Sequence, residues 1–131
     1  MLIDDNFHDN FFHEREIKKA DSQNIVVVND SGEKALEYLK ANKDPHSNLI
    51  MLDINMPGMN GWEFLRAYKN LDEDLKCEAV VVMLTTSDNA DDRAKLVEFP
   101  FVTDYITKPL TKEKINAIRK EYFLVPGDDI R

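Results

Sequence analysis

Four consecutive apolar residues, Leu49, Ile50, Met51 and Leu52, stop on a single carboxylate, Asp53, and the turn-forming residues Asn55, Pro57, Gly58, Asn60 and Gly61 follow. A short apolar run between breakers reads as a strand covered on both faces, the kind that parallel sheets contain. In open α/β sheets ligands sit beyond the carboxyl ends of the strands, where the loops emerge. Asp53 stands at such an end.

The other apolar segments repeat the arrangement. Residues 1–3 are apolar and meet Asp4 and Asp5, and residues 6–20 carry Phe11, Phe12 and Ile17 at helical spacing. Residues 25–28, IVVV, are a second buried-strand candidate; Asp30 and Glu33 then make a capping box for a helix that turns Ala35, Leu36 and Leu39 inward. A loop with Pro45 covers residues 42–48. After the Pro/Gly turn, Trp62, Leu65 and Tyr68 recur at helical spacing, and a charged connector spans residues 70–78. Residues 79–84, AVVVML, form the fourth strand; a helix follows with Ala90, Ala94 and Val97 on one face and stops near Pro100. Residues 101–106 form a fifth, less regular strand, and Thr111 caps a last helix with Ile115, Ile118 and Tyr122 on its buried face. Strand and helix alternate five times, which predicts an α/β fold, a (βα)5 doubly wound five-stranded parallel sheet.

At 131 residues the chain is one domain with a single core, and 43% hydrophobic with 32% charged residues is ordinary for a globular protein. A formal net charge of −8 with no basic stripe argues against direct nucleic-acid binding. The single cysteine, Cys77, excludes an internal disulfide and suits a reducing compartment. MLIDDN turns acidic too early for a secretory leader, and no apolar run is long enough to span a bilayer, so a cytoplasmic protein is expected.

Strands one, three, four and five deliver Asp4 and Asp5, Asp53, Thr85 and Lys108 to one edge of such a sheet. Three crowded carboxylates repel unless a cation is present. Magnesium suits them, since it takes oxygen ligands, retains waters and needs only one or two direct carboxylates. The Thr85 hydroxyl and Lys108 ammonium are what the remaining oxygens of a phosphoryl group require. Carboxylate nucleophile, magnesium, hydroxyl and lysine together describe phosphoryl transfer onto aspartate.

On these residues, the acidic pair in LIDDN, Asp53 in LIMLDINMPGMNG, Thr85 in VVMLTTS and Lys108-Pro109 in DYITKPL, the chain resembles the receiver domains of two-component response regulators, of the single-domain chemotaxis kind. The resemblance covers residues 1–122 and leaves 123–131 as a tail. It implies a flavodoxin-like receiver fold and a role in phosphorelay signal transduction. Asp53 would accept phosphate from a sensor histidine kinase or phosphotransfer protein. Magnesium would be bound by Asp5, Asp53 and the Asn55 backbone carbonyl, with Asp4 acting through water. Thr85 and Lys108 would hold the phosphoryl oxygens, the Lys108–Pro109 bond would be cis, and Tyr105 matches the family's aromatic switch. Catalysis would be limited to self-catalysed phosphotransfer and autodephosphorylation, so the chain is expected to be a signalling domain and not an enzyme in the usual sense. Its output would reach an unidentified protein target through the face made by the fourth helix, fifth strand and fifth helix. The resemblance also places Asn55 and Ser87 beside the phosphoryl site, where they could tune its loss.

Plainer and rival readings stand beside these. Asp53 alone could be an ordinary turn aspartate, Tyr105 plain core, and Thr86 and Ser87 helix caps. His8, His13 and His46 are scattered and read as neither ligands nor phosphate carriers; Trp62 packs locally, close enough in sequence to Asp53 to serve as an optical reporter. A haloacid-dehalogenase-type phosphatase shares the aspartate, hydroxyl, lysine and magnesium, but wants a second aspartate two residues after the nucleophile. That position is Asn55, and the chain has no room for a cap domain. A degenerate receiver serving as a phosphorylation-independent binding module is the other alternative, against which every residue the chemistry needs is present. The abrupt start leaves open a receiver cut from a longer protein, although residues 123–131 do not read as a linker into a DNA-binding domain.

Overall fold

Side chains alternate across a strand, so the two faces of a buried sheet must each find their own apolar cover. In the computed structural model, which describes residues 1–76, 78–86 and 88–123, the core divides in that way. Ile3, Ile50, Leu52, Val81, Met83 and Tyr105 enter one cluster, and Leu2, Met51, Val82 and Leu84 enter the other. Five parallel strands carry them: β1 (Leu2–Ile3), β2 (Val28–Asn29), β3 (Leu49–Asp53), β4 (Val80–Thr85) and β5 (Val102–Thr107), in spatial order β2-β1-β3-β4-β5. Register aligns Leu2 with Met51, Asp53 with Leu84, and Thr85 with Thr107. The doubly wound parallel sheet expected from the sequence is therefore present. Cys77, Ser87 and residues 124–131, with the readings attached to Ser87 and the tail, lie outside the described residues.

Helices cover both faces. On the first lie α2 (Gly32–Lys40) and α3 (Gly61–Lys69), which supply Ala35, Leu36, Leu39, Trp62, Phe64, Leu65 and Tyr68. On the second lie α1 (Phe7–Ala20) and α6 (Lys112–Tyr122), which supply Ile17, Ile115 and Ile118. Each fully buried aliphatic side chain of this kind contributes about 1.5–3 kcal/mol. The charged connector contains an additional short helix, α4 (Glu73–Lys76). As expected, Thr111 caps α6, accepting from the Lys114 amide.

Four expectations are corrected. Phe11 is 58% exposed and Phe12 is also exposed, because α1 turns Asn10, His13, Glu16 and Ile17 inward instead. That face is polar because it meets polar ends: Asn10 donates to the Asp4 carbonyl at 2.8 Å, and Glu16 accepts from the Lys112 amide at 2.9 Å. Residues 25–28 are not a buried strand, since β2 lies at the sheet edge with Ile25 71% exposed. Ser31, not Asp30, caps α2; its side chain accepts from Lys34, a residue that cannot return the bond, and Asp30 pairs instead with the Lys34 ammonium at 3.0 Å. Finally, α5 (Ala90–Lys95) and the 3-10 turn Leu96–Glu98 bury none of Ala90, Ala94 or Val97. The segment is anchored by Phe99, buried and stacked on Trp62 with ring centroids 6.0 Å apart.

Candidate functional site

Strand alternation decides which site residues share a face. Asp4, Asp53 and Lys108 follow Ile3, Leu52 and Thr107, and fall on the side of the sheet that α1 and α6 cover. Thr85 falls on the opposite side, with Val81, Met83 and Tyr105. The Lys108 amide donates to the Thr85 carbonyl at 2.7 Å, and the Lys108–Pro109 bond is cis, as expected.

From that anchor the Lys108 side chain runs inward to three carboxylates: Nζ lies 2.7 Å from Asp4 Oδ2, 2.9 Å from Asp9 Oδ2 and 3.3 Å from Asp53 Oδ1. Asp4 is buried and its other oxygen accepts from the Asn6 amide at 2.9 Å. Asp53 is 6% exposed, and Thr85 is also buried. Burial, then the neighbouring Asp4 charge, pushes the Asp53 carboxyl up to about 6, against the pull of Lys108. Burial acts to discharge Lys108, but hydrogen bonds to Asp4 and Asp9 and the charges of Asp4 and Asp53 outweigh it and hold the ammonium protonated above the usual lysine range.

One oxygen from each of Asp4, Asp5 and Asp53 can be chosen so that all lie within 4.8 Å of one another, with Asp5 exposed at the mouth. Three hard oxygen donors, one on a carboxyl that resists ionisation, fit a magnesium ion, which takes oxygen ligands and keeps part of its water shell. Asn55 is exposed directly after β3.

The turn behind Asp53 is tightly built. Gly58 takes φ 71°, a left-handed conformation suited to glycine. Asn60 and Glu63 form a reciprocal capping box that starts α3. A Cβ on Gly61 would stand 2.8 Å from the Asp53 carbonyl oxygen and 2.9 Å from Ile54 Cα, both backbone atoms that cannot swing away. Gly61→Ala is therefore expected to destabilise the fold by about 1–3 kcal/mol and to move Asp53. Urea unfolding checks the first effect; an unchanged midpoint would contradict it.

Tyr105 is buried within the first core cluster, and the Arg93 guanidinium of α5 lies 4.8 Å from its ring centroid, held in turn by Asp88 with an Nη2–Oδ2 distance of 3.0 Å. Among the described residues the carboxylates that could share a cation are joined by no histidine; His8 is exposed, His46 lies 3.5 Å from Asp44, and burial, with Lys108 next, pushes buried His13 down. Two residues near the site escaped the sequence reading, Asp9 and Arg93. Asp9 carried a signal, an acidic residue one helical turn beyond Asp5, whereas Arg93 carried none beyond its place in a helix.

The arrangement offers an almost buried carboxylate, a lysine ammonium 3.3 Å from it and oxygen donors for a cation, with buried Thr85 at the end of the neighbouring strand. It can accept an electrophile on Asp53 and stabilise negative charge on the group transferred. Comparison with known proteins points the same way. The family model described as response regulator receiver domain matches residues 1–120. The heme response regulator HssR of Staphylococcus haemolyticus is 33% identical over 100% of this chain and 55% of its own length. The chain thus spans about half of that relative. Response regulator Rcp1 of Synechocystis is 32% identical over 82% of this chain and 74% of its own. Among solved structures, a two-component response regulator from Cytophaga hutchinsonii is similar with a TM-score of 0.81 and 30% identity over 92% of each chain.

Proposed function

The chain belongs to the response regulator receiver domain family, and from that premise we propose that Asp53 is its phosphoacceptor, served by Lys108, Thr85 and a magnesium ion. Membership makes the chain a signalling domain of two-component systems. The observation that carries the assignment is the Lys108 ammonium 3.3 Å from the buried Asp53 carboxylate, between the acidic pair and β4.

In the proposed step an Asp53 carboxylate oxygen attacks the phosphorus of a phosphohistidine on a sensor kinase or phosphotransfer protein. A P–O bond forms, the P–N bond breaks, and the departing imidazole nitrogen keeps the electron pair. Lys108 and the Thr85 hydroxyl donate hydrogen bonds to the phosphoryl oxygens from opposite faces of the sheet. Asp5, Asp53 and the Asn55 carbonyl would hold a magnesium ion, with Asp4 acting through water, and the ion would supply further neutralisation of those oxygens. Asn55, exposed just beyond β3, sets how readily water removes the group.

Output follows from Thr85 and Tyr105 lying on one sheet face. A phosphoryl group draws the Thr85 hydroxyl and its loop toward Asp53, which frees space for Tyr105 to move beneath Arg93 and changes the surface of α5, β5 and α6 that a protein target reads. The cytoplasmic placement expected from the sequence belongs to the same proposal; no helix among the described residues is long and apolar enough to cross a membrane.

Incubation with a small acyl phosphate tests the assignment by intact mass. The expected product is a single phosphoryl adduct that requires magnesium and is absent from Asp53→Asn. An adduct that survives the substitution would contradict it, and turnover of unrelated phosphate esters would favour a phosphatase.

A further inference from the structure

Lys108 is held by one more carboxylate than phosphoryl transfer uses. An ammonium group has three N–H donors, and Asp4, Asp9 and Asp53 match them. The contacts are unequal. Those to Asp4 and Asp9, 2.7 and 2.9 Å, have the length of charge-assisted hydrogen bonds, and the 3.3 Å contact to Asp53 is longer than that. Asp9 is also separate from the three carboxylates that could share a cation. A metal engaging Asp4, Asp5 and Asp53 would leave Asp9 as the one acid with an undivided hold on the lysine.

Asp9 reaches this place through the first turn of α1. Asn6 caps the helix and accepts from the Asp9 amide at 3.0 Å, which fixes Asp9 as the third helical residue. A carboxylate there is favoured by the helix N-terminus. It is partly exposed at the lip of the site and directed at Lys108.

We propose that Asp9 is a positioning residue, a holding counter-ion that draws the Lys108 ammonium toward α1 and away from Asp53 until an incoming phosphoryl group competes for it. This rests on the reading of Asp53 as phosphoacceptor. To meet the phosphoryl oxygens, Lys108 must loosen its bond to Asp9, so the Asp9 charge raises the donor concentration needed for phosphorylation. Asparagine at this position has nearly the same shape and still offers an acceptor oxygen, but a neutral and weaker one.

The test compares wild type, Asp9→Asn and Glu14→Gln in the magnesium-dependent reaction with a small acyl phosphate, separating half-saturating concentration from limiting rate. Glu14→Gln removes one negative charge from the same helix. The expected result is a half-saturating concentration about three- to tenfold lower in Asp9→Asn, with wild-type behaviour in Glu14→Gln. Magnesium affinity, read by Trp62 fluorescence, should be unchanged in Asp9→Asn, which a general loosening of the site would not allow. An equal gain in Glu14→Gln would assign the effect to overall charge and overturn the inference, as would an unchanged or higher half-saturating concentration in Asp9→Asn. No adduct on the wild type overturns the phosphoacceptor reading and this one together; a normal wild-type adduct with unaltered Asp9→Asn kinetics overturns this one alone.

Discussion

Replacing Asp53 with asparagine is expected to stabilise the fold at neutral pH by up to about 3 kcal/mol, even though it removes the proposed phosphoacceptor. The carboxyl moves from 3.8 to about 6 on folding, burial being the main cause and Asp4 the next. Each pKa unit corresponds to about 1.4 kcal/mol between protonation states. A carboxyl raised in the folded state binds more protons there than in the unfolded chain. Its ionisation therefore opposes folding, fully above about pH 6, progressively less as pH falls, and not at all below about pH 4. Asparagine cannot ionise. Its advantage in urea unfolding should be largest near pH 7.5 and should vanish below about pH 4. A variant less stable than wild type at neutral pH would show that Asp53 is not under electrostatic pressure. In wild type, magnesium should provide a similar gain, since a ligand that binds only the folded state stabilises it.

Lys108→Met is expected to act in the opposite direction. The substitution leaves buried Asp4 and Asp53, with Asp9 beside them, facing one another without a cation. Removing one partner of a buried ion pair costs about 3–5 kcal/mol. The lysine's pKa is raised on folding, so its stabilising contribution is fully present at neutral pH. The deficit should shrink as acid protonates the carboxylates and as magnesium takes over their neutralisation. Phosphoryl uptake should fall by a factor on the order of 100 to 1,000, the usual effect of losing one donor to a developing oxyanion. Wild-type stability with wild-type uptake would remove Lys108 from the site.

Asp53 and Thr85 were legible in the sequence because each ends a run of buried-strand character, and Lys108 because it follows the less regular edge strand β5; parallel strands deliver their carboxyl ends to one edge. Apolar spacing failed where the covering layer is itself polar. The inward face of α1 holds Asn10, His13 and Glu16, which serve the Asp4 carbonyl and the start of α6, so Phe11 and Phe12 face solvent against the helical pattern. It failed again in the segment after β4, where three small or branched residues suggested a buried stripe and Phe99, beyond the helix, does the anchoring. Asp9 illustrates a different limit. Its helical position could be read, but its choice of Lys108 over solvent depends on a long-range contact between α1 and the loop after β5.

Borohydride trapping can show whether the Asp53 side chain itself carries the phosphoryl group. Borohydride reduces an acyl phosphate to an alcohol, converting the acceptor aspartate to homoserine. After exposure to acyl phosphate and magnesium, peptide sequencing should find homoserine at position 53, and none when magnesium is omitted. Homoserine at Asp4, Asp5 or Asp9, or phosphate retained on a histidine or hydroxyl that borohydride leaves intact, would contradict the assignment.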